Sequence, residues 1–140
     1  MTYQEKSRWI ALIANLLAWG WYFFTLARLP GGLPDERGLI GLMVPAFIAI
    51  TIINIVGHVV VAVLKPSEAG TDLDEREKAI SRRAAAVGYT VLCVGVAIAL
   101  GTTLLYWTAW FAVNAVMAAF ILAECVRYGV EIIAFRRGYA

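Results

Sequence analysis

Charge is scarce in this chain. Only 16% of its 140 residues are Asp, Glu, Lys or Arg, against about a quarter in an ordinary soluble domain. Residues that hold metals or act as nucleophiles are scarcer still. There is one histidine, His58, and there are two cysteines, Cys93 and Cys125. Both cysteines lie inside apolar runs and neither belongs to a Cys-x-x-Cys pair. That pattern argues against a disulfide framework, a zinc site or a dithiol redox centre, and leaves them as small hydrophobic residues. Haem held by His58 would need a second axial ligand from Met or from another subunit. His58 reads instead as a hydrogen-bonding group between helices, with a response to pH as a further option. The sequence has no nucleophile elbow, phosphate loop, metal-ligand cluster or histidine paired with a catalytic acid. The net charge of +2 is too small to suggest nucleic-acid binding by charge alone. No enzyme activity, metal, cofactor or direct nucleic-acid contact is therefore expected.

Apolar residues are abundant, at 61%, and they come in long runs. A helix needs about 20 mostly apolar residues to cross roughly 30 Å of hydrocarbon. Four runs meet that length: 9–27, 39–64, 84–105 and 109–135. The expected fold is all-α, a polytopic membrane protein whose four transmembrane helices form two antiparallel hairpins, as one domain over residues 1–140. The first run is read as a retained helix and not a cleaved leader. It lacks a small-x-small cleavage site, and Trp19, Trp21 and Tyr22 crowd its end. Pro45 lies one to two turns into the second run, where a kink is expected.

Loop charges give the orientation. Lys6, Arg8, Lys65, Arg76, Lys78, Arg82, Arg83, Arg136 and Arg137 fall on one side of the four runs, and only Arg28 and Arg37 on the other. Nine against two places both termini and the middle loop in the cytoplasm. Trp19, Trp21, Tyr22, Tyr106, Trp107 and Trp110 gather toward the opposite side, as an aromatic belt would.

Two places carry unusual chemistry. The first is the entry to the third run, TDLDEREKAISRRAAAVGY from Thr71 to Tyr89. Asp72 and Glu75 fit a capping box with Asp72 as the N-cap. Asp74, Glu75 and Glu77 suit the positive end of a helix, and Arg82 and Arg83 follow. No Gly or Pro interrupts the chain from Asp72 until Gly88. A helix from Asp72 to Leu105 would be about 50 Å long, so two to three turns, about 72–83, should project into the cytoplasm. This projection reads either as a solvated helix end whose arginines touch lipid phosphates or as a docking surface for a cytoplasmic protein, joined by the basic tail Arg136 and Arg137.

The second place is Glu124, Arg127 and Glu131 in the fourth run. Steps of three and four put them on one helical face, with Arg127 able to pair with either acid. Glu124 lies about 18 Å in from Arg136 along a helix, where an isolated charge costs at least ~2.5–3.5 kcal/mol. Its expected partners are Arg127, Arg82 and Arg83. With His58, the group reads either as an intramembrane functional cluster or as an ion-pair network that fixes helix register.

Single polar residues, Asn15, Asn54, His58 and Asn114, are expected to bond to neighbouring helices. Small residues recur in steps of four or seven: Ala115, Ala119 and Ala123; Ala97 and Gly101; Gly88 and Gly95. Such ridges pack a bundle internally or pair two copies, so a homodimer is expected. There is also an internal echo. GHVVVAVLK at Gly57–Lys65 resembles GVEIIAFRR at Gly129–Arg137, and EKSRWIA at Glu5–Ala11 resembles EKAISRRAA at Glu77–Ala85. A duplicated helical hairpin would explain it, and so would chance likeness among apolar helices.

The segment DEREKAISRRAAAVGY resembles a signature of small four-helix bacterial membrane proteins of unknown function, in which an Asp-Glu-Arg-Glu run and a later basic residue lead into the third span. The matching residues are Asp74, Glu75, Arg76, Glu77, Ile80, Arg83, Ala84 and Tyr89. The resemblance implies the bacterial inner membrane. Genes of such proteins often neighbour small helix-turn-helix regulators, which implies a membrane partner that tethers or restrains a transcription factor. It brings no catalytic residues with it. The expected function is thus a non-enzymatic regulator that binds a cytoplasmic protein. A small dimeric transporter or proton-conducting protein built on Glu124, Arg127 and His58 is the alternative.

Overall fold

The computed structural model describes residues 3–29, 36–64, 74–106 and 109–137. All the regular structure in them is helical. Four helices follow one another: α1 (Tyr3–Ala27), α2 (Glu36–Leu64), α3 (Glu75–Tyr106) and α4 (Ala109–Arg137). Each extends beyond the apolar run that predicted it, because polar residues with good helix propensity flank the runs. Three of the four are long and apolar enough to cross a membrane, over Glu5–Ala27, Arg37–Leu64 and Glu75–Leu105. α4 is not among these three, and it carries Glu124, Arg127 and Glu131 in its second half. α2 continues through Pro45.

The chain divides into two compact units, residues 1–71 and 72–140. The helices pack α1 with α2 and α3 with α4.

In the first unit, Ser7 meets His58 and Trp19 meets Phe47. Rising positions in α1 thus meet falling positions in α2. Trp19 and Tyr22 are buried, and the Trp19 ring stands edge-on to Phe47 with centroids 4.8 Å apart. Trp19 and Tyr22 were expected among the aromatic residues gathered toward one interface as a belt. They are buried, whereas Trp21 is exposed. Edge-to-face geometry adds a quadrupolar attraction that aliphatic residues lack. Trp107, also assigned to that belt, lies outside the described residues, as does Lys65.

In the second unit, Ser81 meets Glu131, Gly88 meets Ala123 and Arg127, and Gly95 meets Ala119. A Cβ added at Gly95 would sit 2.7 Å from the Ala119 Cβ, and one at Gly88 would sit 3.2 Å from the Ala123 carbonyl oxygen. Ala119 and Ala123 therefore pack inside this unit, which resolves one of the two uses open to that ridge. Ala97 and Gly101 are exposed.

The burial pattern inverts that of a soluble protein. Buried apolar positions are mostly alanines, including Ala11, Ala14, Ala18, Ala46, Ala84, Ala99, Ala119 and Ala123. Large side chains such as Leu17, Ile52, Val63, Ile98, Leu104 and Leu105 are exposed. Water would penalise such a surface heavily. Lipid does not, and small residues let helix backbones approach closely.

The asparagines each bond to their own helix. Asn15, Asn54 and Asn114 each donate a side-chain N–H to the carbonyl four residues earlier in their own helix, at 3.0, 2.8 and 2.9 Å. A donor without water nearby is satisfied by the nearest carbonyl, and in a helix that is its own preceding turn.

Candidate functional site

The entry to α3 is built by its own sequence. Asp74 is the N-cap: its carboxylate accepts the Glu77 backbone N–H at 2.6 Å, and the Glu77 carboxylate accepts the Asp74 N–H at 3.3 Å. This is a reciprocal capping box. The cap was expected at Asp72, which lies outside the described residues. DLDERE offers two overlapping Asp-x-x-Glu boxes two residues apart. A helix has one N-cap, and the later box is the one closed. Glu75 pairs with Lys78 at 2.8 Å one turn on. Asp74, Glu75 and Arg76 are exposed, and Glu77 is half-buried.

From this cap, the 32 residues of α3 run about 48 Å at 1.5 Å per residue. That exceeds the ~30 Å of a hydrocarbon core by several turns. The surplus is polar and lies at the N-terminal end, because the apolar run begins only at Ala84.

Next along α3 comes the charged cluster. Glu131 is fully buried. Its Oε1 accepts a hydrogen bond from the Ser81 hydroxyl at 3.1 Å and lies 3.9 Å from Arg127 Nε. Arg127 also reaches Glu124, 3.5 Å from Nη1 to Oε1. Both distances exceed the 2.7–2.9 Å typical of a charge-assisted hydrogen bond. Arg127 therefore acts as one cation shared between two carboxylates, closely engaged with neither. The guanidinium also stands 5.6 Å from the Tyr128 ring centroid.

Depth along the helices follows from these contacts. Glu131 is level with Ser81, which precedes the apolar run. Arg127 is level with Gly88, about 6 Å past Ala84. The cluster thus begins where the polar part of α3 ends and reaches a turn or two beyond. Its long cationic arm is short of the middle of the helix pair.

The sequence named Arg127, Arg82 and Arg83 as candidate partners for Glu124. Arg82 and Arg83 are exposed and make no ion pair among the described residues. Glu124 pairs with Arg127. Ser81 was missed as the inter-helix partner of Glu131. The available signal was its place on the contact stripe of α3, three residues before Ala84 and seven before Gly88.

His58, grouped with the cluster from sequence, lies in the other unit. Its Nδ1 is 3.3 Å from the Ser7 hydroxyl, with the donor set by the imidazole tautomer. Arg136 and Arg137 close α4 and are exposed, where cations complement the C-terminal dipole. Cys93 and Cys125 are free thiols. Among the described residues no group of three His, Cys, Asp or Glu side chains could hold a metal ion. No family model, curated protein or solved structure matches this chain.

Proposed function

We propose that this chain is a non-enzymatic regulatory membrane protein that binds or sequesters a cytoplasmic protein through the entry to α3. In this reading all four helices cross the bacterial inner membrane as two antiparallel hairpins, with both termini in the cytoplasm. The nine-to-two division of Lys and Arg supports that orientation. The observation that carries the functional reading is the capped, exposed acidic turn Asp74–Glu77, at the end of a helix about 18 Å longer than the hydrocarbon core requires. A helix end that only needed to stop could do so at the headgroups. This one extends a charged, rigid surface past them.

Asp74, Glu75, Arg76 and Glu77 make the contact, with Asp72 before them and Arg82, Arg83, Arg136 and Arg137 beside them. A small helix-turn-helix regulator is the specific partner proposed, on the resemblance of the DEREKAISRR segment alone. The chain itself does not touch nucleic acid. Affinity purification from native membranes tests the reading. A soluble protein should co-purify with the wild type and be lost when Asp74, Glu75 and Glu77 are changed to Ala. Absence of any soluble partner from the wild type would remove its basis.

One observation favours a second reading. Glu131 is fully buried beside Arg127 and Ser81, and an ionisable group inside a helix pair is a natural relay for protons or ions. The protein would then be a small transporter or conducting dimer, its copies meeting on the exposed Ala97–Gly101 ridge, with His58 as a further titratable group. Liposome flux abolished by Glu124→Gln would favour it. No flux of any ion would exclude it.

A further inference from the structure

On the outer side of the α3–α4 contact, a groove of about 410 Å³ opens between Ile80, Val87, Val130 and Ile133. That volume lies within the range of small-molecule sites. The groove is lined by apolar side chains and by two cations, Arg83 and Arg137. No carboxylate lines it. Both arginines are exposed, and neither makes an ion pair among the described residues. The neighbouring Glu131 carboxylate, which could have neutralised one of them, is turned into the helix contact toward Ser81 and Arg127.

The groove therefore pairs an apolar trough with two guanidinium groups that make no ion pair among the described residues, at the level where the apolar run of α3 begins. We propose that it holds one anionic phospholipid, with its phosphate between Arg83 and Arg137 and its acyl carbons along Ile80, Val87, Val130 and Ile133. The proposal rests on the reading that this helix pair is embedded in a bilayer. Guanidinium groups match phosphate oxygens in forked geometry, and basic pockets between membrane helices select anionic headgroups. An acidic peptide would satisfy the arginines and leave the trough unfilled. A zwitterionic lipid would fill the trough and set its own cation beside two others.

The site divides the basic residues at this end of the molecule. Arg83 and Arg137 go to the lipid. Arg82, adjacent in sequence but outside the groove, remains with the acidic turn for a protein partner. Lipid occupancy would brace α3 against α4 directly below the docking surface and so couple membrane composition to partner binding.

The test uses the full chain, purified from membranes and reconstituted in nanodiscs of phosphatidylcholine with a minority of phosphatidylglycerol. Co-purifying lipid is counted by native mass spectrometry. Wild type should retain one phosphatidylglycerol in preference to phosphatidylcholine. Each cation near an anionic headgroup is worth about fivefold in partition, so the R83Q/R137Q double variant should retain roughly 25-fold less. Ile133→Trp, which fills the trough and leaves both charges, should also displace the lipid. Arg82→Gln should not. Equal loss in Arg82→Gln and R83Q/R137Q would mean diffuse surface attraction and overturn the proposal. So would equal retention of the two lipids by the wild type, or unchanged retention in Ile133→Trp. Alkaline carbonate extraction of native membranes separates this failure from failure of the membrane reading: a chain released by carbonate is not embedded at all.

Discussion

The two helix pairs, α1 with α2 and α3 with α4, close in different ways. α1 and α2 meet through rings, Trp19 edge-on to Phe47, and through a polar contact, Ser7 to His58. α3 and α4 are joined by small residues, Gly88 and Gly95 against Ala123 and Ala119, and then by charge, Glu124, Arg127 and Glu131 with Ser81. Yet the polar contacts occupy matching places. In each pair a serine near the start of the first helix meets a titratable side chain near the end of the second, 51 residues on in one and 50 in the other. The first pair puts a histidine there and the second a carboxylate that needs a cation. The second pair carries the buried Glu131 beside Arg127, and its leading helix starts with an exposed acidic cap.

Breaking the charged fastening should have the largest effect. Arg127→Met would leave Glu124 and the buried Glu131 without their shared cation. Removing one member of a buried pair costs about 3–5 kcal/mol. Arg127 is 33% exposed, so a loss near the lower end, about 3 kcal/mol, is expected in thermal melts of the detergent-purified protein. Double replacement with Glu131→Leu should recover much of it. No destabilisation by Arg127→Met would mean that the cluster is not a fastening.

Trp19→Ala tests the aromatic side of the comparison. In a soluble core it would cost about 3–5 kcal/mol. Lipid is as apolar as the ring's present surroundings, so mainly packing is lost, and about 2 kcal/mol is expected in the same melts. A larger loss than that of Arg127→Met would reverse the ranking of the two pairs.

The smallest effects come from the matched serines. Ser7→Ala should cost about 0.6 kcal/mol, as for an ordinary inter-helix hydrogen bond. Ser81→Ala should cost more, about 1.5 kcal/mol, because its acceptor is a charged group. Equal costs would remove the distinction between the two polar contacts.

The sequence was legible where one local rule decided the outcome. Apolar run length located all four helices, and the spacing of 124, 127 and 131 identified Arg127 as the shared cation. It was illegible where two rules competed or where partners were distant. Asp72 and Asp74 both open a capping box, and nothing local says which one closes. Trp19 and Tyr22 satisfy both a belt pattern and a core pattern, and only the position of Phe47 settles it. The Ser81–Glu131 bond joins residues 50 apart, so it depends on helix register, which a single sequence does not encode by spacing. The asparagines looked inter-helical because they sit inside apolar runs. They also reach their own preceding carbonyls.

Photo-crosslinking in living cells is the most direct test of the central claim that the work is done at the entry to α3. A photoreactive amino acid placed at Glu75 is compared with one at Ile98, an exposed position deep in the apolar run. The account predicts a discrete adduct with a soluble protein from position 75 and none from position 98. No soluble adduct from position 75, or the same adduct from both positions, would contradict it.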